Sequence, residues 1–162
     1  MDIGNDLVND AQGRELARRR AARSMLEQWW ERLSERSSTW DLETVKHLVV
    51  LNAAGLAGVA TLLAGAKLSH PKWVGATTLL GYGLGVVFAI LNMYLASVSF
   101  SRMLDEVKSR IVEVGDLSKS IDHVYDRLTA GKRINVAGQV CGWASAMLAI
   151  ASTLAIGFSL VD

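Results

Sequence analysis

Three long stretches of this chain carry no formal charge, and that constrains its fold more than any other feature. The clearest is residues 73–98, WVGATTLLGYGLGVVFAILNMYLASV, 26 residues in all. As a helix at about 1.5 Å per residue it would be roughly 39 Å long, enough to cross a hydrocarbon layer of about 30 Å with tilt. Residues 48–66 supply 19 more uncharged positions and residues 134–161 another 28. One such helix could be buried in a soluble protein; three in 162 residues read as membrane spans. The expected fold is all-α: a polytopic membrane protein with three transmembrane helices, an N-terminal amphipathic helix and a cytosolic helical hairpin.

The polar segments attach to the ends of these spans. The layout predicted is an amphipathic N-terminal segment over 1–40, a first transmembrane helix over 41–66 and an external turn over 67–72. A second transmembrane helix over 73–98, a hairpin over 99–133 and a third transmembrane helix with an external C-terminus over 134–162 complete it. Residues 1–13 are polar, carry Asp2, Asp6 and Asp10, and show no secretory signal, so the first span is expected to act as its own insertion signal. They read as a frayed or weakly helical start.

From Arg14 to Arg36 a helical period emerges. Ala22, Leu26, Trp29 and Leu33 form a stripe widened by Met25 and Trp30, and Arg18, Arg19, Arg20, Arg23, Glu27, Glu31 and Glu35 lie opposite. The stripe fits either packing on another helix of the same chain or lying on anionic lipid, where arginines and a Trp pair are favoured. Ser37-Ser38-Thr39 predicts a break, with Ser38 and Asp41 starting the next helix and Trp40 at the membrane interface.

Between spans two and three, Leu104, Val107, Ile111 and Val114 make one apolar stripe and Leu117, Ile121, Val124 and Leu128 another. A straight helix of about 33 residues would carry the chain roughly 50 Å from the membrane, yet the third span starts near Ile134. The chain must return. Gly115-Asp116 is the only clear breaker, so a helical hairpin is predicted, 100–114 out and 117–131 back. Two helices lying flat on the bilayer are the rival arrangement. Glu106, Glu113, Asp122 and Asp126 alternate with Arg102, Lys108, Arg110 and Lys119, and a solvated helix face accounts for the set.

Charge sets the expected orientation. Of 17 Lys and Arg residues, eight precede span one and seven lie between spans two and three. Only Lys67 and Lys72 fall in the short connector, which also holds His70-Pro71, and none follows span three. The positive-inside rule then puts the N-terminus and the 100–132 segment in the cytoplasm of a cell (inner) membrane, with the C-terminus outside.

Within the spans two patterns carry functional weight. Small residues recur at four-residue spacing: Gly81, Gly85, Ala89; Gly138, Gly142, Ala146; and Ala137, Cys141, Ser145, Ala149, Thr153, Gly157. Such rows let helix backbones approach, and two small faces on span three predict neighbours on both sides, hence a homo-oligomer. Asn52, Asn92 and Gln139 each stand a few residues from a cytoplasmic span end and are expected at similar depth. They would form an interhelical clasp or, on the functional reading, a polar ring along a pore.

Other chemistry lacks support. No ionisable residue lies in a span, which disfavours proton-coupled transport. His47, His70 and His123 have no metal-ligand spacing, and Gly81-x-Gly83-x-Gly85 lacks the preceding strand of a nucleotide loop. The single Cys141 reads as a buried thiol, and a net charge of +1 argues against nucleic acid. No enzyme and no cofactor are expected; the expected partners are the bilayer, further copies and a cytosolic protein.

The first span, LVVLNAAGLAGVATLLAG, resembles a pattern of small bacterial and phage-associated membrane proteins of unknown function. Those carry a charged N-terminal helix and an LLxLNGGA-type first span; Asn52-Ala53-Ala54-Gly55 stands where that pattern has Asn-Gly-Gly-Ala. The resemblance implies a layout and no activity. In size and span count the chain also resembles a three-span phage holin, departing from it in orientation and in lacking a basic C-terminal tail. Two functions follow as expectations: homo-oligomeric assembly as a pore, membrane-perturbing effector or scaffold, or an accessory or anchoring subunit whose cytosolic helices bind a protein.

Overall fold

Only Gly and Pro strongly oppose a helix interior, and the one proline, Pro71, lies in the connector between the first two helices. The helices are correspondingly long. The computed structural model describes residues 3–65 and 72–161, and side chains outside 1–9, 36–42, 66–72 and 161–162. Helix α1 runs Ile3–Ala64, about 93 Å, and α2 runs Lys72–Gly115, about 66 Å. After a strap over 116–131 holding one 3₁₀ turn, Asp122–Tyr125, helix α3 spans Lys132–Val161.

Two expectations need correction here. The predicted break at Ser37-Ser38-Thr39 is absent: α1 is continuous through it, and helix covers the residues expected to fray from Ile3 onward. Ser and Thr cost a helix only tenths of a kcal/mol each, whereas a break creates two sets of orphaned backbone groups. The side chains of Ser38, Trp40 and Asp41, expected to cap and anchor there, lie outside the described residues. Second, the turn at Gly115 falls where predicted, but the return leg is not helical. The hairpin is one helix and one irregular strap.

Helix α2 is the centre of the molecule, packing antiparallel to both α1 and α3, while α1 and α3 touch each other little. The antiparallel packing of α1 and α2 runs from end to end: Leu63 meets Gly75, Asn52 meets Gly85, and Arg19 meets Val114. The same two helices thus build both halves of the molecule. In the apolar half, Val59, Tyr82 and Ala149 form a small core with Leu56, Leu79 and Ile156. Its outward surface is apolar as well, with Leu80, Leu84, Val87, Val140, Trp143, Met147 and Phe158 exposed. Three helices are long and apolar enough to cross a membrane, and in water this surface would be a large unfavourable patch.

The other half is a charged head. Ala22 and Leu26 of α1, Val107 and Val114 of α2, and Ile121 and Val124 of the strap form its buried core, with Met25, Trp29, Ile111 and Leu128 packed against it. Of the two readings of the N-terminal stripe, packing within the chain is the one realised. Trp30 and Leu117, placed on the predicted stripes, are exposed instead.

Candidate functional site

The strap has no helix to satisfy its backbone, so side chains of the two long helices do it. Arg19 donates to the carbonyls of Val114 (3.2 Å), Asp116 (2.7 Å) and Lys119 (2.6 Å), while Glu15 holds its Nε at 2.8 Å. A residue of α1 therefore caps the C-terminus of α2, whose last carbonyls are orphaned. Arg110 donates to the carbonyls of Val124 and Asp126 and pairs with Glu106 one turn earlier. Glu106 in turn accepts the N–H groups of Thr129 (3.1 Å) and Ala130 (2.7 Å). Arg19 and Arg110 are only 7% and 8% exposed. Reading Glu106–Arg110 as part of a solvated face is thus overturned, and Arg19, opposite the apolar stripe, is buried as well: the carbonyls of the strap draw both guanidiniums inward.

Polar side chains also fix the strap locally. Asp116 accepts from the hydroxyl and the backbone N–H of Ser118, and Ser120 bonds Asp122 through both side chain and backbone. These local bonds compete with helix, which explains why an apolar period of 117, 121, 124 and 128 did not make one. Burial raises the Glu106 carboxyl, but the amides of Ala130 and Thr129 and the Arg110 guanidinium outweigh it and hold it below its usual range. The His123 hydrogen bond does the same for Glu113, Ser118 for Asp116, and Arg18 for Asp122. At the far end Gly131 takes φ +77° and sits where a Cβ would strike the Ser99 carbonyl; Ser99 Oγ donates to the Gly131 carbonyl at 2.9 Å.

In the apolar half the structure brings Asn92 and Gln139 together and places Asn52 apart from them. Asn52 is sealed among all three helices, donating to Ser145 Oγ at 3.1 Å and to the Leu48 carbonyl at 2.8 Å; Ser145 donates onward to the Gly85 carbonyl at 2.8 Å. Its Oδ1 is buried without a hydrogen-bond partner and lies against Gly85, where a Cβ would overlap it. Asn92 lies seven residues along α2 from Gly85, about 10 Å nearer the head, against Gly138 and Gly142. Asn92 and Gln139 share a cleft of about 320 Å³ with Thr44, Asn135, Trp143 and Ala146; Asn52 does not line it. Depth counted from charged span ends misplaced Asn52, because helix register is set by which small residue admits which side chain.

The small residues pack within the chain. Gly81 lies against Ser152, Gly85 against Asn52, and Gly138 and Gly142 against Asn92, while Ala89, Ser145 and Ala149 are buried. Ala146 lines the cleft, and Cys141 is half-buried with a free thiol. The middle of each small face of α3 is thereby engaged by α1 and α2, while Ala137 and Gly157 at the ends of one row are exposed. Tyr82 was missed: its ring fills the space over Gly55, and its hydroxyl lies 2.7 Å from Thr153 Oγ1. No protein-family model matches this chain, nor does any curated protein or solved structure.

On the head, two shallow pockets flank the same turn of α1. One is lined by Met25, Gln28, Trp29, Arg32 and Tyr125, the other by Glu27, Trp30, Glu31 and Ile111. Trp29 and Trp30 thus face opposite flanks, toward the strap and toward α2. No group of three or more metal-ligating side chains exists among the described residues.

Proposed function

We propose that this chain is a non-catalytic anchoring subunit: its three spans hold a rigid head at the cytoplasmic face of a cell membrane, where the head binds a protein partner. What supports this reading is the head itself. It is built from the charged segments, yet Leu16, Trp30, Val112, Leu117 and Tyr125 stand exposed on it. Trp, Tyr and Arg, gathered here around the 25–32 turn, are the side chains that most often anchor protein interfaces. The orientation follows from the cationic flanks of the spans. Because α1 and α2 pass unbroken from span to head, a partner held there has a fixed pose relative to the bilayer.

Self-assembly is the second reading, since the same exposed apolar side chains could be covered by another copy. A pore has less in its favour, because Asn52 is enclosed between the helices and the outward face of the apolar half carries large apolar side chains. A photo-crosslinking residue at position 30, in the full chain within its native membrane, separates the readings. A discrete adduct with a different protein supports anchoring, and an adduct of twice the chain's mass supports self-assembly. No adduct at all contradicts both.

A further inference from the structure

We propose that the cleft between α1 and α3 binds one anionic phospholipid, an inference that goes beyond anchoring and rests only on the membrane reading. The cleft is a notch of about 320 Å³ at the head end of the apolar half, over α2. The Asn52–Ser145 bond ties α1 to α3 just below Ala146 and closes its floor. Beneath that floor Val59, Tyr82 and Ala149 fill the bundle. A helix about 10 Å across would need an open groove along the whole apolar half, and this notch is too short to seat one.

Its lining is graded. Asn135 and Gln139 stand at the head end with Asn92, and Trp143 and Ala146 lie deeper. None of these three amide side chains has a hydrogen-bond partner among the described residues, and an unpaired amide in an apolar surrounding is costly. Their N–H groups suit phosphate and ester oxygens, and the apolar end suits the start of an acyl chain. Lys132 lies three residues before Asn135 and extends the same face of α3 by one turn. It is exposed and forms no ion pair among the described residues. That free cation selects a net negative headgroup over a zwitterionic one.

The test is native mass spectrometry of the full chain released from nanodiscs of phosphatidylglycerol and phosphatidylcholine in equal amounts. The unmodified chain should retain one phosphatidylglycerol in preference to phosphatidylcholine. Lys132→Gln and Gln139→Leu, both at exposed positions, should each lower that retention about tenfold, the effect of losing one good hydrogen-bonding or charged contact. Lys132→Arg should restore it. Equal retention of the two lipids by the unmodified chain, retention of neither, or release as a dimer without lipid overturns the proposal; so does unchanged retention in both variants. The lipid preference of the unmodified chain needs no variant to fold.

Discussion

Glu106 and Arg110 lie one helical turn apart on α2 and hold the returning strap from both sides of its hydrogen-bonding capacity. The guanidinium takes carbonyls of residues 124 and 126, and the carboxylate takes the N–H groups of residues 129 and 130. A strap without helix or sheet would otherwise leave those groups orphaned beside a buried core. The head is therefore held by two arginines alongside its apolar contacts.

Arg110→Leu should cost about 3–5 kcal/mol, because it leaves several carbonyls and the Glu106 carboxylate without their partner. Hydrogen exchange should rise across 116–131 while the apolar half keeps its protection. Protection of the strap unchanged from the parent would contradict the clasp.

Arg19→Met should loosen a different place. Val114, Asp116 and Lys119 lose a shared donor, so exchange should rise at the α2 terminus and the start of the strap but not at residues 124–130. A uniform rise along the whole strap would mean that the two arginines act as one unit.

Acid should open the head without melting the helices. Carboxylates whose folded values are depressed stabilise the fold above their unfolded values, and that contribution is lost as pH falls through the folded ones. Glu106, Glu113, Asp116 and Asp122 are all depressed. The near-UV circular dichroism should therefore change below about pH 4, with far-UV helicity retained. A transition confined to pH 6–8 would contradict this assignment.

Gly85→Ala should destabilise the apolar half by about 1–3 kcal/mol, since the added methyl overlaps the Asn52 amide. Combining it with Asn52→Ala, which vacates that space, should cost less than the two single changes added together. Thermal unfolding in detergent measures all three, and strict additivity would show that the two residues do not meet.

Expression of the intact chain should leave dye exclusion and membrane potential unchanged, because the Asn52 amide is enclosed. Rapid depolarisation, lost on replacing Asn52, Asn92 and Gln139 together by Leu, would instead establish a polar path.

The three apolar helices and the turn at Gly115 were legible because absent charge and a lone breaker are local signals. The core residues Ala22, Leu26, Val107, Ile121 and Val124 were legible from period. The strap was not: its stripe of 117, 121, 124 and 128 has helical spacing, but Asp116, Ser118, Ser120 and Asp122 bond locally, and Arg19 and Arg110 claim its carbonyls from more than ten residues away. Only a fold reveals such donors. The depth of Asn52 was illegible for a related reason: Asn52 and Asn92 are set in depth by Gly85 and Gly138, contacts that no count from the end of a span contains. The cleft arises where α1 and α3 fail to meet, which is a property of three helices together and of none alone.

If the head lies at the cytoplasmic ends of three membrane spans, as proposed, the connector and the head face opposite sides of the membrane. Cysteine labelling in intact cells tests it most directly. In a Cys141→Ala background, Ser69→Cys in the 67–72 connector and Asp105→Cys on the head are exposed in turn to a membrane-impermeant maleimide. Position 69 should be labelled in intact cells and position 105 only after permeabilisation. Labelling of position 105 in intact cells, or of neither position until the cells are opened, would contradict it.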